Sequence, residues 1–188
     1  MDAIKKNGFT LIEIVVAMGI FALLIGSLSS IFVQALQGQK KTLATQEVLG
    51  QTSYVLDYMS RAIRLAKKDI AGDCIGAKLN YLATDSRVLN GEEFSGPGIK
   101  FLNYNGICQE FFKDSADLKL KESKDSAGPE DLTSAGLKIN YFNIIIAGEY
   151  QTDAVQPEVT LFLEVEGKNQ SKIKIQTTVS QRNLDIQR

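Results

Sequence analysis

Gly8-Phe9-Thr10-Leu11-Ile12-Glu13 opens an apolar run that continues to Val33 and contains a single charged side chain, Glu13. About 25 residues rising 1.5 Å each make a helix long enough for a hydrocarbon layer roughly 30 Å thick, so residues 9–33 are read as a membrane-crossing helix. A carboxylate near the middle of such a layer costs about 2.5–3.5 kcal/mol, and less toward the end of the span, where Glu13 sits. Something near Glu13 is needed to offset its charge.

Working outward, residues 1–8 form a short leader with Lys5 and Lys6 just before the apolar run. Lysines on that side favour a cytoplasmic N-terminus, although Asp2 and the later pair Lys40 and Lys41 reduce the asymmetry. The expected topology is single-pass in the cytoplasmic (inner) membrane, N-in and C-out. A secretory signal would have an apolar core of about 7–15 residues and a small-x-small cleavage site. This core is longer, and Gln34 to Gln37 offers no such pattern. A plain anchor explains the hydrophobicity and the lysines but leaves Glu13 without a role.

With 188 residues, 44% of them hydrophobic, the chain can supply one such helix and one modest globular domain. A net charge of -1 and a pI near 5.6 give no basic surface for nucleic acid, so no nucleic-acid partner is predicted. Histidine is absent and cysteine occurs only at Cys74 and Cys108, which removes Cys/His zinc sites and any histidine general base. Serine and lysine are plentiful, but no spacing singles out a nucleophile and its base. No catalytic residue, metal site or cofactor is assigned, and an enzyme is not expected.

Beyond Gln34 the composition turns polar, yet no proline occurs before Pro97. Val48, Thr52, Val55, Met59 and Ile63 recur at helical spacing, so one helix is expected from Phe9 to about Ala66, some 90 Å long. Its second half, residues 34–67, carries one apolar stripe to set against a sheet. Tyr54 and Met59 are read as core or interface residues rather than ligand-binding ones. Residues 68–188 make the globular, β-rich part. Asp69 to Asn90 reads as a loop with one strand near Asn80 to Ala83.

Further strands are expected at Ile99–Tyr104, Ile107–Phe112, Leu118–Lys121, Leu137–Ala147, Glu158–Glu166 and Lys172–Ser180. The last two alternate most cleanly, with Val159, Leu161, Leu163 and Val165 on one face and Ile173, Ile175, Thr177 and Val179 on the matching face. A turn at Gly167 to Asn169 would make them a hairpin, with Glu164 and Glu166 opposite Lys172 and Lys174. Its apolar face would cover the helix stripe. The charged segment Lys113 to Asp131 is read as an outer edge; Asp114, Asp117, Asp125 and Asp131 are interleaved with lysines and lack EF-type calcium spacing. Cys74 and Cys108 are either a disulfide, which an extracytoplasmic compartment permits, or two buried thiols. A bridge closing a loop of about 35 residues would contribute roughly 3–4 kcal/mol. The fold class is α+β: a long N-terminal helix, its first half membrane-embedded, packed against an antiparallel β-sheet.

Gly8 to Glu13, after two lysines and before an apolar helix, resembles the N-terminal signature of the type IV pilin superfamily, which includes pseudopilins of type II secretion systems. The resemblance covers about 30 residues. It implies a pilin-like fold and cleavage between Gly8 and Phe9 by a prepilin peptidase, which then methylates the amine of Phe9. Glycine before the cut suits a cleft that approaches the backbone closely. Glu13, four residues on, shares a helix face with Phe9 and would pair with its amine or with that of a neighbouring subunit, fixing register in the filament. The implied partners are the peptidase, other pilin or pseudopilin subunits through their N-terminal helices, an ATP-driven assembly platform, and membrane lipid before assembly. Thr10 is read as a simple cap. Gly19, Gly26 and nearby alanines and serines suit close helix contacts. Relatives often carry a proline in this helix and cysteines near the C-terminus, and many pseudopilins have smaller domains. The larger domain and the position of the cysteines favour a minor, tip or initiating subunit over a major one, and without the proline any local melting on assembly would rest on Gly26 and the serines. The competing reading is a membrane-tethered extracytoplasmic binding or sensor domain that never polymerises.

Overall fold

The structure, a computed structural model, describes residues 8–84, 87–89, 93–125, 127–148 and 155–182. The chain divides into two compact units, Met1–Leu43 and Ala44–Arg188. Helix α1 runs Leu11–Arg64 without a break at Gly19 or Gly26, as expected, its ends differing from the expected bounds only as helix termini commonly do. In the first unit every described residue is exposed.

In the second unit α1 buries Ala44, Val48, Thr52, Val55, Met59 and Ile63, the stripe read from the sequence extended by one turn. Tyr54 lies off that stripe, 74% exposed, so it is not a core residue. Three carbonyls at the end of the helix find partners outside it. Tyr81 Oη donates to the carbonyl of Ile63 at 2.8 Å, Arg182 N–H to that of Arg64 at 2.8 Å, and Gln181 Nε2 to that of Ala66 at 3.0 Å. The Ile63 carbonyl also accepts the Ala66 N–H at 3.1 Å, so Tyr81 adds a second bond there, while Arg182 and Gln181 supply donors to carbonyls that the ending helix leaves without an intrahelical partner.

Two antiparallel sheets take the place of the single one expected. The first has the order β1-β4-β5-β6-β7, with β1 Leu82–Thr84, β4 Gly98–Leu102, β5 Cys108–Lys113, β6 Leu120–Lys124 and β7 Glu130–Asp131. The second has the order β10-β9-β8-β3-β2, with β2 Arg87–Leu89, β3 Glu93–Gly96, β8 Lys138–Ala147, β9 Glu158–Glu166 and β10 Lys172–Ser180. The chain changes sheet at Pro97, between β3 and β4. Pro97 has no N–H to give a ladder, and Gly98 lets three strands converge: a Cβ there would lie 3.0 Å from the Phe111 carbonyl oxygen and 3.2 Å from Thr84 Cβ.

Both sheets and the helix share one core. Met59 and Ile63 of α1, Ile99, Phe101 and Phe111 of the first sheet, and Ile139, Ile144, Val159 and Leu161 of the second are buried in a single cluster. The β9–β10 hairpin has the expected register, Glu166 opposite Lys172 and Glu164 opposite Lys174, each pair joined at 3.0 Å. Its turn continues through a 3-10 segment, Lys168–Gln170, to Ser171. Val159, Leu161, Leu163 and Val165 are buried, but on β10 only Val179 is; Ile173, Ile175 and Thr177 are half-covered because β10 is an edge strand.

Candidate functional site

The chain enters α1 through Gly8, Phe9 and Thr10, all exposed and outside the helix. Thr10 is its cap: Thr10 Oγ1 accepts the Glu13 N–H at 3.3 Å and the Thr10 carbonyl accepts the Ile14 N–H at 3.3 Å. Thr10 and Glu13 thus have the spacing of a capping box, and the Glu13 carboxylate sits in the first turn, where the helix dipole favours negative charge. Phe9 is 79% exposed. A Cβ on Gly8 would meet nothing within 4 Å, so no packing among the described residues requires a glycine there. Lys5 and Lys6 lie outside the described residues.

Further along, two hydroxyls within the apolar segment are absorbed by the helix itself. Ser27 Oγ donates to the Leu24 carbonyl at 2.8 Å and Ser29 Oγ to the Ile25 carbonyl at 2.9 Å. Bonded in this way they cost little in an apolar medium. By length and composition α1 can cross a membrane.

Residues 4–29 match the family model described as the prokaryotic N-terminal methylation motif. This is the type IV pilin and pseudopilin signature. It takes in Lys5, Lys6, Gly8, Phe9 and Glu13, and it supports a pilin- or pseudopilin-like substrate of prepilin peptidase that assembles with other pilins. With the apolar helix it fits a protein anchored in the inner membrane. The long helix and antiparallel sheets are a pilin-like α+β arrangement. No curated protein and no solved structure matches the chain.

In the second unit the two cysteines form a disulfide, Cys74–Cys108, with Cα atoms 5.5 Å apart. It fastens the segment after the helix to the first residue of β5. A few residues upstream, Asp69 is 2% exposed and its carboxylate accepts four backbone N–H groups: Gly72 at 2.8 Å, Asp73 at 3.3 Å, Cys74 at 2.8 Å and Ile75 at 2.9 Å. Burial alone would raise the Asp69 pKa, but these donors outweigh it and hold the carboxyl below its ordinary value. The sequence reading missed this lock; its one signal is an aspartate three residues before Gly72 in a loop.

A second polar cluster joins helix to sheet. Tyr58 Oη donates to Glu122 Oε1 at 2.7 Å, Gln109 Nε2 donates to the same oxygen, and Lys124 Nζ reaches Glu122 Oε2 at 2.9 Å. The four aspartates weighed as calcium ligands are otherwise engaged: Lys121 Nζ lies 2.6 Å from Asp114 and 2.7 Å from Asp117, Lys119 pairs with Asp131, and Asp125 accepts the Cys108 N–H at 3.0 Å. The Lys121 hydrogen bonds hold Asp114 and Asp117 below the usual carboxylate range and raise Lys121. Among the described residues no group of three or more His, Cys, Asp or Glu is placed to hold a metal ion.

Proposed function

We propose that this chain is a structural subunit, minor, tip or initiating, of a type IV pilus or a type II secretion pseudopilus. Residues 1–8 are the leader, removed between Gly8 and Phe9; residues 9–33 are the membrane and filament-core helix, residues 34–67 its amphipathic continuation, and residues 68–188 the globular domain. The observation that carries the reading is the methylation motif over residues 4–29, seated on the capped start of a helix whose apolar first part, up to Leu43, is exposed. The peptidase acts on this chain; the chain supplies an accessible backbone at Gly8 and, after cleavage, an amine on Phe9.

In lipid that amine and the Glu13 carboxylate, about one turn apart, partly neutralise one another. In a filament the carboxylate of one subunit sits beside the amine of the next, where a subunit out of register leaves a charge unpaired at a cost of several kcal/mol. Glu13 therefore sets alignment more than it adds adhesion. The N-in, C-out topology places the Cys74–Cys108 bridge in the compartment where disulfides persist.

An intact-mass measurement on the extracted full-length product tests processing. A chain beginning at methylated Phe9 supports the proposal, and one that retains Met1 refutes it and favours a tethered domain that does not polymerise. Assembly is tested separately with Glu13→Ala, which is expected to leave a processed, membrane-resident protein absent from filaments. Incorporation of that variant at the wild-type level would overturn the register role.

A further inference from the structure

The second sheet ends on β10, a nine-residue strand with β9 on one side and no strand on the other among the described residues. The hairpin's own bonds show which backbone groups face that open side. Gly167 N–H donates to the Ser171 carbonyl at 2.9 Å and, at the other end, Gln181 N–H donates to the Pro157 carbonyl at 3.0 Å. The register between them is unbroken from Lys172↔Glu166 to Ser180↔Glu158. Bonded and non-bonded pairs alternate along an antiparallel ladder, so the odd-numbered residues of β10 bond to β9. Lys172, Lys174, Gln176, Thr178 and Ser180 direct their N–H and C=O groups outward.

Edge strands usually avoid pairing through free charges, bulges or brevity. β10 is long and has no bulge, and its two lysines are each held at 3.0 Å by a glutamate of β9, Lys172 by Glu166 and Lys174 by Glu164. On the face toward the core, Ile173 and Ile175 remain half-covered. An added strand would cover them.

We propose that the edge of β10 pairs with β10 of a second copy of this chain, antiparallel, about a two-fold axis at Gln176. The strand is self-complementary in that register. Lys172 meets Ser180 of the second copy, Lys174 meets Thr178, and Gln176 meets Gln176, so no lysine faces a lysine. On the core face Ile173 meets Val179 and Ile175 meets Thr177, which extends the apolar row across the junction. The register centred on Lys174 instead sets like charges side by side and shortens the overlap. The two five-stranded sheets become one continuous sheet, joined by a closed, isologous contact that does not itself propagate into a filament. The pairing is independent of the processing and assembly proposed above.

The test is cross-linking of the full-length chain in its native membrane. In a bonded antiparallel pair on the axis the two Cα atoms lie about 5.5 Å apart, within disulfide reach. Gln176→Cys is exposed, and on mild oxidation it is expected to give a covalent dimer on a non-reducing gel, while Thr178→Cys, displaced from its own copy by four residues, stays monomeric. Adding Thr178→Lys to Gln176→Cys sets a lysine against Lys174 of the second copy and is expected to abolish the dimer; adding Thr178→Glu is expected to retain it. A monomeric Gln176→Cys, equal cross-linking through Thr178→Cys, or indifference to the sign of the charge at Thr178 each overturns the proposal.

Discussion

Replacing Asp69 by asparagine tests whether the carboxylate lock holds the segment that follows the helix. Asp69 Oδ1 accepts the Gly72 and Asp73 N–H groups and Oδ2 accepts those of Cys74 and Ile75. In the Asp69→Asn variant the one remaining oxygen can keep the first pair, but the amide nitrogen then points a donor at two donors. Each buried donor left without an acceptor costs about 1–3 kcal/mol, so the expected loss for two is about 2–6 kcal/mol, near the lower end if water enters the loop. The disulfide at Cys74 holds the same segment, and for a separation of 34 residues its own contribution is about 4 kcal/mol. The two effects share a loop and are expected not to add, so Asp69→Asn should cost more in a Cys108→Ser background than in the wild type.

The dependence on pH supplies the discriminating readout. The folded pKa of Asp69 lies below its unfolded value, so its contribution is complete above about pH 4 and disappears as pH falls through the folded value. Thermal unfolding of the detergent-solubilised chain should therefore separate wild type from Asp69→Asn at about pH 7, with the gap narrowing as pH falls below the ordinary carboxylate value of about 4. Other depressed carboxyls, Asp114, Asp117 and Glu166, titrate in both proteins and cancel in the difference. A gap of the same size at both ends of that range, or unchanged hydrogen exchange at the Gly72–Ile75 amides, would refute the lock.

Gly167→Ala should be among the more damaging single-methyl additions, because its Cβ would collide with Val48 Cγ2; a loss of about 1–3 kcal/mol in thermal unfolding, relieved by Val48→Ala, is expected. Tyr58→Phe keeps the ring against Phe111 but removes the hydroxyl that donates to Glu122, and a loss of about 1–2 kcal/mol on denaturation would register that bond. Gly8→Val should leave the fold's unfolding temperature unchanged and abolish cleavage, read as retention of the leader by mass.

Where a local pattern decides the structure, the sequence alone is sufficient. The helix stripe follows from spacing, and the β9–β10 register follows from alternation combined with glutamates opposite lysines. The Cys74–Cys108 bridge is one of two open readings until the fold brings the Cα atoms to 5.5 Å. Other features depend on distant partners and carry weak local signals. β2 and β3 are short, and β3 owes its pairing to Gly96, Ser95 and Phe94 lying opposite Ile144, Ile145 and Ile146 of β8. One of the crossings between the two sheets falls at Pro97 and Gly98, which read equally well as an ordinary loop. Glu122 could have been noticed: it shares the inward parity of Leu120 on β6, a charged residue where the pattern asks for an apolar one. Its partners Tyr58 and Gln109 come from α1 and β5, so only the fold shows why that charge is tolerated.

The N-terminal junction inverts this relation. The core residues are explained by what they touch, and removing one leaves a cavity or an unpaired group. Gly8 meets no constraint from the described residues around it, Phe9 has most of its surface exposed, and the Glu13 side chain stands in the first turn of a helix whose cap is already made by Thr10. Folding of this chain would tolerate many residues at positions 8 and 9, and a membrane segment would favour an apolar residue at position 13. Residues that folding does not require, yet which together complete a recognised motif, are most economically explained by what the chain meets after it is made. Substitutions at Gly8 and Glu13 should therefore change processing and assembly with little effect on unfolding, and substitutions at Asp69 and Gly167 should do the reverse.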